Sequence, residues 1–299
     1  MNSQPDLEPA AKDTPEKPLR IAIQGYPGAF HEIAARHFFQ DQELEMVPAD
    51  TFEELIEMVE QGQVSDIGIM AIENTLYGSL MGNYTLLNQS QLSVSGEVYL
   101  RIKQNLLVLP GQSIADLKEV HSHPIAIAQC LDFFKKHPHI HLVETCDTAW
   151  SAQQVSEQQL FGTGAIASTL AAEMYGLDVL APSIETNKKN FTRFLILERP
   201  NGKEPLVPAD EVNKISMSFA VSHEVGSLYK VLAVLAAYNV NLTKIQSHPI
   251  IGKPWEYLFF VDFTVEGSVG HEQAIDAIRP LTHDLQVLGV YRKGNHYEY

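Results

Sequence analysis

The run Ile67-Gly68-Ile69-Met70-Ala71-Ile72 carries no polar side chain and is bounded by Asp66 on one side and Glu73-Asn74 on the other. A half-solvated strand alternates polar with apolar residues, whereas an unbroken apolar strand is buried on both faces and needs helices above and below it. The flanking sequence supplies them. Ile21-Ala22-Ile23-Gln24 is stopped by Gly25-Tyr26-Pro27-Gly28, after which Phe30, Ile33, Ala34, His37 and Phe38 recur at helical spacing. Thr51 with Glu54 three residues on has the pattern of a capping box, and Phe52, Leu55, Ile56 and Val59 form one apolar face that stops at Gly62. Strands at 94–100, 104–109 and 140–144 continue the alternation, with helices capped by Ser113 (carrying Leu117 and Val120), at 125–136, after Asp147-Thr148 and at 168–175. The pattern predicts an α/β layer structure.

That pattern ends at Arg199-Pro200-Asn201-Gly202-Lys203-Glu204-Pro205, a turn-rich polar stretch that with Pro208-Ala209-Asp210 reads as a linker over 201–212. The remaining residues, 213–299, predict a unit of their own in the order βαββαβ, a ferredoxin-like arrangement. Its strands are expected at 215–221, 241–247, 257–265 and 285–291, and its helices after Gly226-Ser227 and at 271–278. Residues 1–18, with Pro5, Pro9, Pro15 and Pro18 among polar and small side chains, are expected to be a disordered tail. A chain of 299 residues is long enough for two domains or three small ones.

Asp and Glu outnumber Lys and Arg by 37 to 21, a net charge of −16 that argues against partners rich in phosphate, whether nucleic acid or anionic membrane. Two cysteines, Cys130 and Cys146, are too few for a disulfide framework, so a reducing compartment is expected. No apolar run approaches the ~20 residues that span a bilayer, and no charged-then-apolar signal pattern opens the chain, which together predict a cytoplasmic protein.

Candidate chemistry is sparse when read residue by residue. Glu73-Asn74-Thr75 stands at the carboxyl end of the buried run, where open α/β sheets place ligand groups. The two H-x-H spacings among His121, His123, His137, His139 and His141 flank a predicted helix at opposite ends and do not converge as metal ligands must. Ser122 and Gln129 read as a cap and an ordinary helix residue, and Cys130 as a small buried one. In Asn190-Phe191-Thr192-Arg193-Phe194, strand alternation puts Thr192 and Phe194 on one side and Arg193 on the other. The glycines of 25–28 lack dinucleotide or Walker spacing, and there is no G-x-S-x-G elbow.

In order, these segments resemble the prephenate dehydratase family. Gln24-Gly25-Tyr26-Pro27-Gly28-Ala29-Phe30-His31 is similar to its Q-G-x-x-G-A-Y-S, and Ala71-Ile72-Glu73-Asn74-Thr75 with Gly78-Ser79 to its P-I-E-N-S…G-S. Ser122-His123-Pro124-Ile125 with Gln129-Cys130, Asp147-Thr148-Ala149, Ala165 to Ser168 and the intact N-x-T-R-F at Asn190 to Phe194 follow in place. Gly226-Ser227-Leu228-Tyr229 and Asn241 to Pro249 resemble the two signatures of the family's ACT regulatory domain. Three departures stand out: Phe30-His31 for Tyr-Ser, Ile125 for Gln, and Gln246-Ser247-His248-Pro249 for an ACT signature that reads E-S-R-P.

The resemblance implies a catalytic region over 19–200 made of two lobes like those of a periplasmic binding protein, one from 19–97 plus 188–200 and one from 98–187. An ACT domain over 213–299 would follow, in a monofunctional chain without the chorismate mutase fused to some relatives. It implies conversion of prephenate to phenylpyruvate on the route to phenylalanine, with no metal or organic cofactor. Arogenate dehydratase is the alternative within the same chemistry, and a non-catalytic aromatic amino-acid sensor the alternative outside it. Thr192 would donate a hydrogen bond to the leaving hydroxyl, with Glu73 as proton source if burial raises its pKa. Asn74, Ser122, Gln129, Thr148 and Ser168 would form a neutral hydrogen-bonding shell, with Thr75, Asn190 and Phe194 beside the substrate. Arg193 would either meet a substrate carboxylate or hold a lobe together. Gly226, Ser227, Leu228, Asn241, Leu242, Gln246 and Ser247 would bind phenylalanine as effector between paired ACT domains of a homodimer or homotetramer.

Overall fold

A computed structural model describes residues 17–40, 42–200, 208, 211–265 and 271–298. The expected tail, apart from its last two residues, and most of the expected linker lie outside these. The chain begins with β1 (Leu19–Gln24), α1 (Phe30–Phe38), β2 (Leu44–Ala49), α2 (Phe52–Gln61), β3 (Ile67–Asn74), β4 (Gly78–Ser79), α3 (Met81–Gln89) and β5 (Ser93–Arg101). It crosses at 102–104 into a second body: β6 (Asn105–Val108), β7 (Glu119–Ser122), α4 (Pro124–Phe134), β8 (His141–Glu144), α5 (Thr148–Glu157), β9 (Thr163–Ala167), α6 (Thr169–Tyr175) and β10 (Asp178–Ala181). It crosses back at 182–190 to β11 (Phe191–Glu198). The last unit is β12 (Lys214–Ala220), α7 (Ser227–Ala237), β13 (Val240–Pro249), β14 (Tyr257–Val265), α8 (His271–Ile278), β15 (His283–Tyr291) and β16 (His296–Tyr297).

The first lobe is built on the strand order β2-β1-β3-β11-β5, with β11 antiparallel to both neighbours, and the second on β10-β6-β9-β7-β8. The apolar run in β3 is buried throughout, as its composition requires. One face of the sheet packs Ile21, Ile23, Ile69 and Phe194 against Ile33 and Ala34 of α1. The other packs Met70, Ile72, Leu195 and Leu197 against Leu55 and Val59 of α2 and against Phe260, Leu288 and Tyr291 of the C-terminal unit. That unit has the order β13-β14-β12-β15, the ferredoxin-like sequence of strands, and its sheet joins the first lobe at a single parallel pair, Gly289 with Val94. Short β16 returns to pair with β5, so one eleven-stranded sheet runs through both.

Two expectations need correction. β5 runs on to Arg101, four residues past the expected lobe boundary at 97. The helix expected after Ser113 is a single 3-10 turn over Ile114–Asp116, closed by a Ser113–Asp116 capping box, and Val120 belongs to β7. In β7 the buried positions are Val120 and Ser122. A serine at a core position conceals the period of two that marks a strand.

Candidate active site

The strand pair β3 and β11 carries the polar groups of the site. Thr192 lies opposite Asn74 and Arg193 opposite Glu73, but Phe194 pairs with Ala71, so the ladder skips Ile72. This β-bulge inverts the side-chain parity beyond it. Ala71 and Asn74 share the face of Thr192 and Phe194, and the cleft they border also includes Gln24, His31, Tyr77, Gln104, His123, Gln129, Cys146, Asp147 and Thr148. Glu73 is turned to the opposite face, where its carboxylate accepts from Lys244 Nζ at 3.0 Å. The expected proton source thus points away from the cleft, a correction that follows from the bulge.

Hydrogen-bond bookkeeping fixes the direction of the Thr192 hydroxyl. Asn74 Oδ1 accepts from the N–H groups of Leu76 and Tyr77, at 2.8 and 3.2 Å, which leaves Nδ2 as the donor end of the amide. That Nδ2 donates to Asn190 Oδ1 at 2.8 Å and to Thr192 Oγ1 at 3.0 Å. Because Thr192 Oγ1 accepts from Asn74, its own hydrogen is left to point elsewhere, and the cleft lies in front of it.

The cavity has a volume of about 220 Å³, is walled by Phe30, Phe194, Leu80, Ile102 and Ile125, and lies between the two lobes. Among its described lining residues there is no Lys or Arg, and the one carboxyl group is Asp147. Burial raises the Asp147 pKa, against backbone N–H groups at the start of α5 and nearby His123, which favour the charged form. The first turns of α1, α4 and α5 contribute Phe30, Ile125 and Thr148 to the wall, with His123 capping α4 and Asp147 capping α5. His31 presents a buried Nε2, and Gln104 a buried Oε1, each without a hydrogen-bond partner among the described residues. Burial lowers the His31 pKa to about 4, so the imidazole is neutral near pH 7. Gly28, at φ +89°, lets the second lobe close in: a Cβ there would stand 3.0 Å from the Ala171 Cα.

Of the expected residues, Thr192, Asn74, Phe194, Gln129 and Thr148 line the cleft, and Asn190 stands behind Asn74. Others hold the walls in place. Ser122 is fully buried and donates to the Ile166 carbonyl at 2.7 Å. Ser168 caps α6 and donates to Gly28 O at 2.6 Å, a bond between lobes. Thr75 donates to Lys189 O and accepts from Phe191 N. Arg193, 5% exposed, faces away from the cleft and donates to Glu97 at 2.7 Å, Tyr291 at 3.0 Å and Asp262, which excludes it from meeting a substrate carboxylate. Its partners tie β11 and β5 of the first lobe to β14 and β15 of the C-terminal unit, not one lobe to itself. His31, Gln104, Tyr77 and Cys146 were not singled out as site residues. His31 had a signal, as a departure from the family motif; the other three had none.

In the C-terminal unit, β13 runs antiparallel to β14 and β14 antiparallel to β12, so β13 is parallel to β12 and ends at the same end of the sheet from which the chain leaves β12 for α7. Gln246 and Ser247 therefore stand at the same end as Gly226, Ser227 and Leu228, with Asn241 and Leu242 at the other end of the strand.

The two lobes, the polar cleft between them and the ferredoxin-like unit define a two-lobed α/β binding-cleft protein of the periplasmic type with an appended C-terminal domain. The sequence matches the prephenate dehydratase family over residues 21–202. Arogenate dehydratase 2 of Petunia hybrida is 41% identical over 91% of this chain and 71% of its own length. Prephenate dehydratase of Arthrobacter aurescens, solved in complex with L-Phe, superposes with a TM-score of 0.77 at 25% identity, over 92% of this chain and 90% of its own. A structure described as GqqA, a novel type of quorum quenching acylase, gives 0.80 at 31% identity, over 92% and 98%. The chain belongs to the prephenate dehydratase family.

Proposed function

We propose that the chain is a lyase that converts prephenate to phenylpyruvate in phenylalanine biosynthesis. In that reaction the ring carboxylate leaves as CO2, its bonding electrons enter the ring, and the C–O bond at the para position breaks. The departing hydroxide takes up a proton and leaves as water. Aromatisation drives the reaction, so the protein mainly has to orient the substrate and stabilise the leaving oxygen. The observation that carries the reading is the Thr192 hydroxyl, held by Asn74 as an acceptor so that its hydrogen is free for the cleft. A threonine is too weak an acid to surrender its proton, but a fixed, desolvated O–H stabilises charge as it develops on the leaving group.

Arogenate is a second reading with its own support. It carries an ammonium in place of the keto group, the cleft wall has a carboxyl at Asp147 and no cation among its described residues, and a 41% identical relative is an arogenate dehydratase. Phenylalanine as effector is supported by the A. aurescens complex and by the placement of Gly226 to Leu228 at the same end of the C-terminal unit as Gln246 and Ser247. Pairing through the C-terminal domains is supported by β13, an edge strand, and by Tyr229, Ile245 and Trp255, 73%, 45% and 73% exposed. The free cysteines suit the reducing, cytoplasmic setting that accompanies this reading.

Purified protein mixed with prephenate should produce phenylpyruvate, followed by its absorbance at alkaline pH, and a parallel reaction with arogenate should show which substrate has the higher kcat/KM. Binding of either without turnover selects the sensor.

A further inference from the structure

The back of the catalytic strand pair is gripped at two adjacent points by the C-terminal domain. Arg193 and Glu73 are cross-strand partners on β11 and β3, one residue from the partners Thr192 and Asn74 and facing the other way. Lys244 and Asp262 are cross-strand partners on β13 and β14. The two pairs meet with charges crossed: the Arg193 guanidinium engages Asp262, and Lys244 Nζ donates to Glu73 at 3.0 Å. Lys244 also donates to Ser79 Oγ at 2.7 Å and stands 5.2 Å from the centre of the Tyr84 ring. β3 and β11, which bring Asn74 and Thr192 to the cleft, are thus each tied, one residue away, to a different strand of the appended domain.

The two ties differ in what they can control. Thr192 sits in a strand paired on both sides, so its backbone is held without help. Asn74 sits at the end of β3 just past the bulge, paired with Thr192 on one side and on the other only with Gly78 of the two-residue β4, so the support of this segment is shorter than that of Thr192. Its amide sets the orientation of the Thr192 hydroxyl. The residue that anchors this segment from the far side is Glu73, and what anchors Glu73 is Lys244.

We propose that Glu73 and Lys244 are positioning residues for the dehydration: their ion pair fixes the bulged end of β3 and so the Asn74 amide that orients the Thr192 hydroxyl. This rests on the reading in which that hydroxyl meets the leaving oxygen. Lys244 lies on the same strand as Gln246 and Ser247, so that strand of the appended domain touches the back of the segment that carries Asn74.

A charge exchange in the full-length protein tests it, with prephenate and arogenate as probe substrates and kcat, KM and Tm as readouts. Glu73→Lys and Lys244→Glu should each lower kcat by about tenfold or more with KM within about twofold, as expected when a catalytic group is displaced by a fraction of an ångström. The double exchange should recover most of the loss, the signature of a direct pair. Glu73→Gln and Lys244→Met, which remove charge without repulsion, give the same reading if a reversal fails to fold. Wild-type kcat in the single variants, whatever their Tm, overturns the proposal, as does a double exchange with wild-type Tm and no recovery. Thr192→Val, which removes the hydroxyl itself, separates the two readings. If it keeps wild-type kcat, the role of the cleft hydroxyl falls and the positioning role falls with it; if it loses activity while the Glu73 and Lys244 variants do not, only the positioning role falls.

Discussion

A threonine hydroxyl contributes to catalysis only if its hydrogen is not already spent, and at Thr192 the neighbouring amide ensures this by donating to the oxygen. Thr192→Val keeps shape and removes the O–H; kcat is expected to drop by about 10²-fold or more, the scale of losing one oriented donor, with KM little changed. Thr192→Ser should retain part of the rate, and steady-state kinetics on both variants check the split. His31 offers a different test. With its pKa lowered to about 4, it stays neutral above pH 5, so a pH profile of kcat/KM should show no ionisation between pH 5 and 8 that His31→Ser abolishes. The cleft face of 190–194 was legible because alternation separates Thr192 and Phe194 from Arg193. What Arg193 faces was not, since alternation says that a side chain lies on the second face and nothing about what covers it. Glu73 was misread for a sharper reason: the bulge that turns it round leaves no mark in residues 71–74, all of which fit a regular strand.

At the scale of elements, the buried charges behind β11 and β5 form one neutral set. Glu97 takes Arg193 Nε at 2.7 Å and Lys214 Nζ at 2.8 Å, Asp262 takes the other arm of Arg193, and the Tyr291 hydroxyl lies within 2.6 Å of Ser216 Oγ. Desolvation works against every member, and the set persists because each charge is matched; removing one carboxylate strands a buried cation. Asp262→Ala is expected to cost about 3–5 kcal/mol, read by denaturant unfolding. Arg193 beside it lowers the Asp262 pKa in spite of burial. A depressed carboxylate stabilises the fold fully above its unfolded value, about 3.9, and loses that contribution as pH falls through the folded value. Stability should therefore decline below pH 4 and decline less in Asp262→Asn. Helices with clean periodicity, such as 52–61 behind its Thr51 cap, were legible from sequence, although the Glu54 carboxylate accepts from Asp50 N–H and not from Thr51 as a capping box requires. Strands β2 and β10 were not, because β2 carries Glu45 and Pro48 and alternates weakly, and β10 is four residues long and mostly unburied.

For the whole molecule, the seam between the first lobe and the C-terminal domain depends on backbone contact so close that a side chain would break it. A Cβ on Gly289 would lie 2.3 Å from the Val94 carbonyl oxygen. Gly289→Ala is expected to cost about 1–3 kcal/mol by overpacking, and to lower Tm and weaken any effect of phenylalanine on prephenate turnover together, checked by calorimetry and inhibition curves. The order of the C-terminal strands was readable from sequence; their merger with the catalytic sheet was not, because a one-residue bridge between distant strands has no pattern. That merger also leaves the two lobes unequally held. With one jaw of the cleft welded to the appended domain, the free jaw is the segment between the crossovers at 102–104 and 182–190, latched shut by Ser168 on Gly28 and Tyr175 on Pro27. Any opening of the cleft to admit substrate or release CO2 and water must break those two bonds between the lobes.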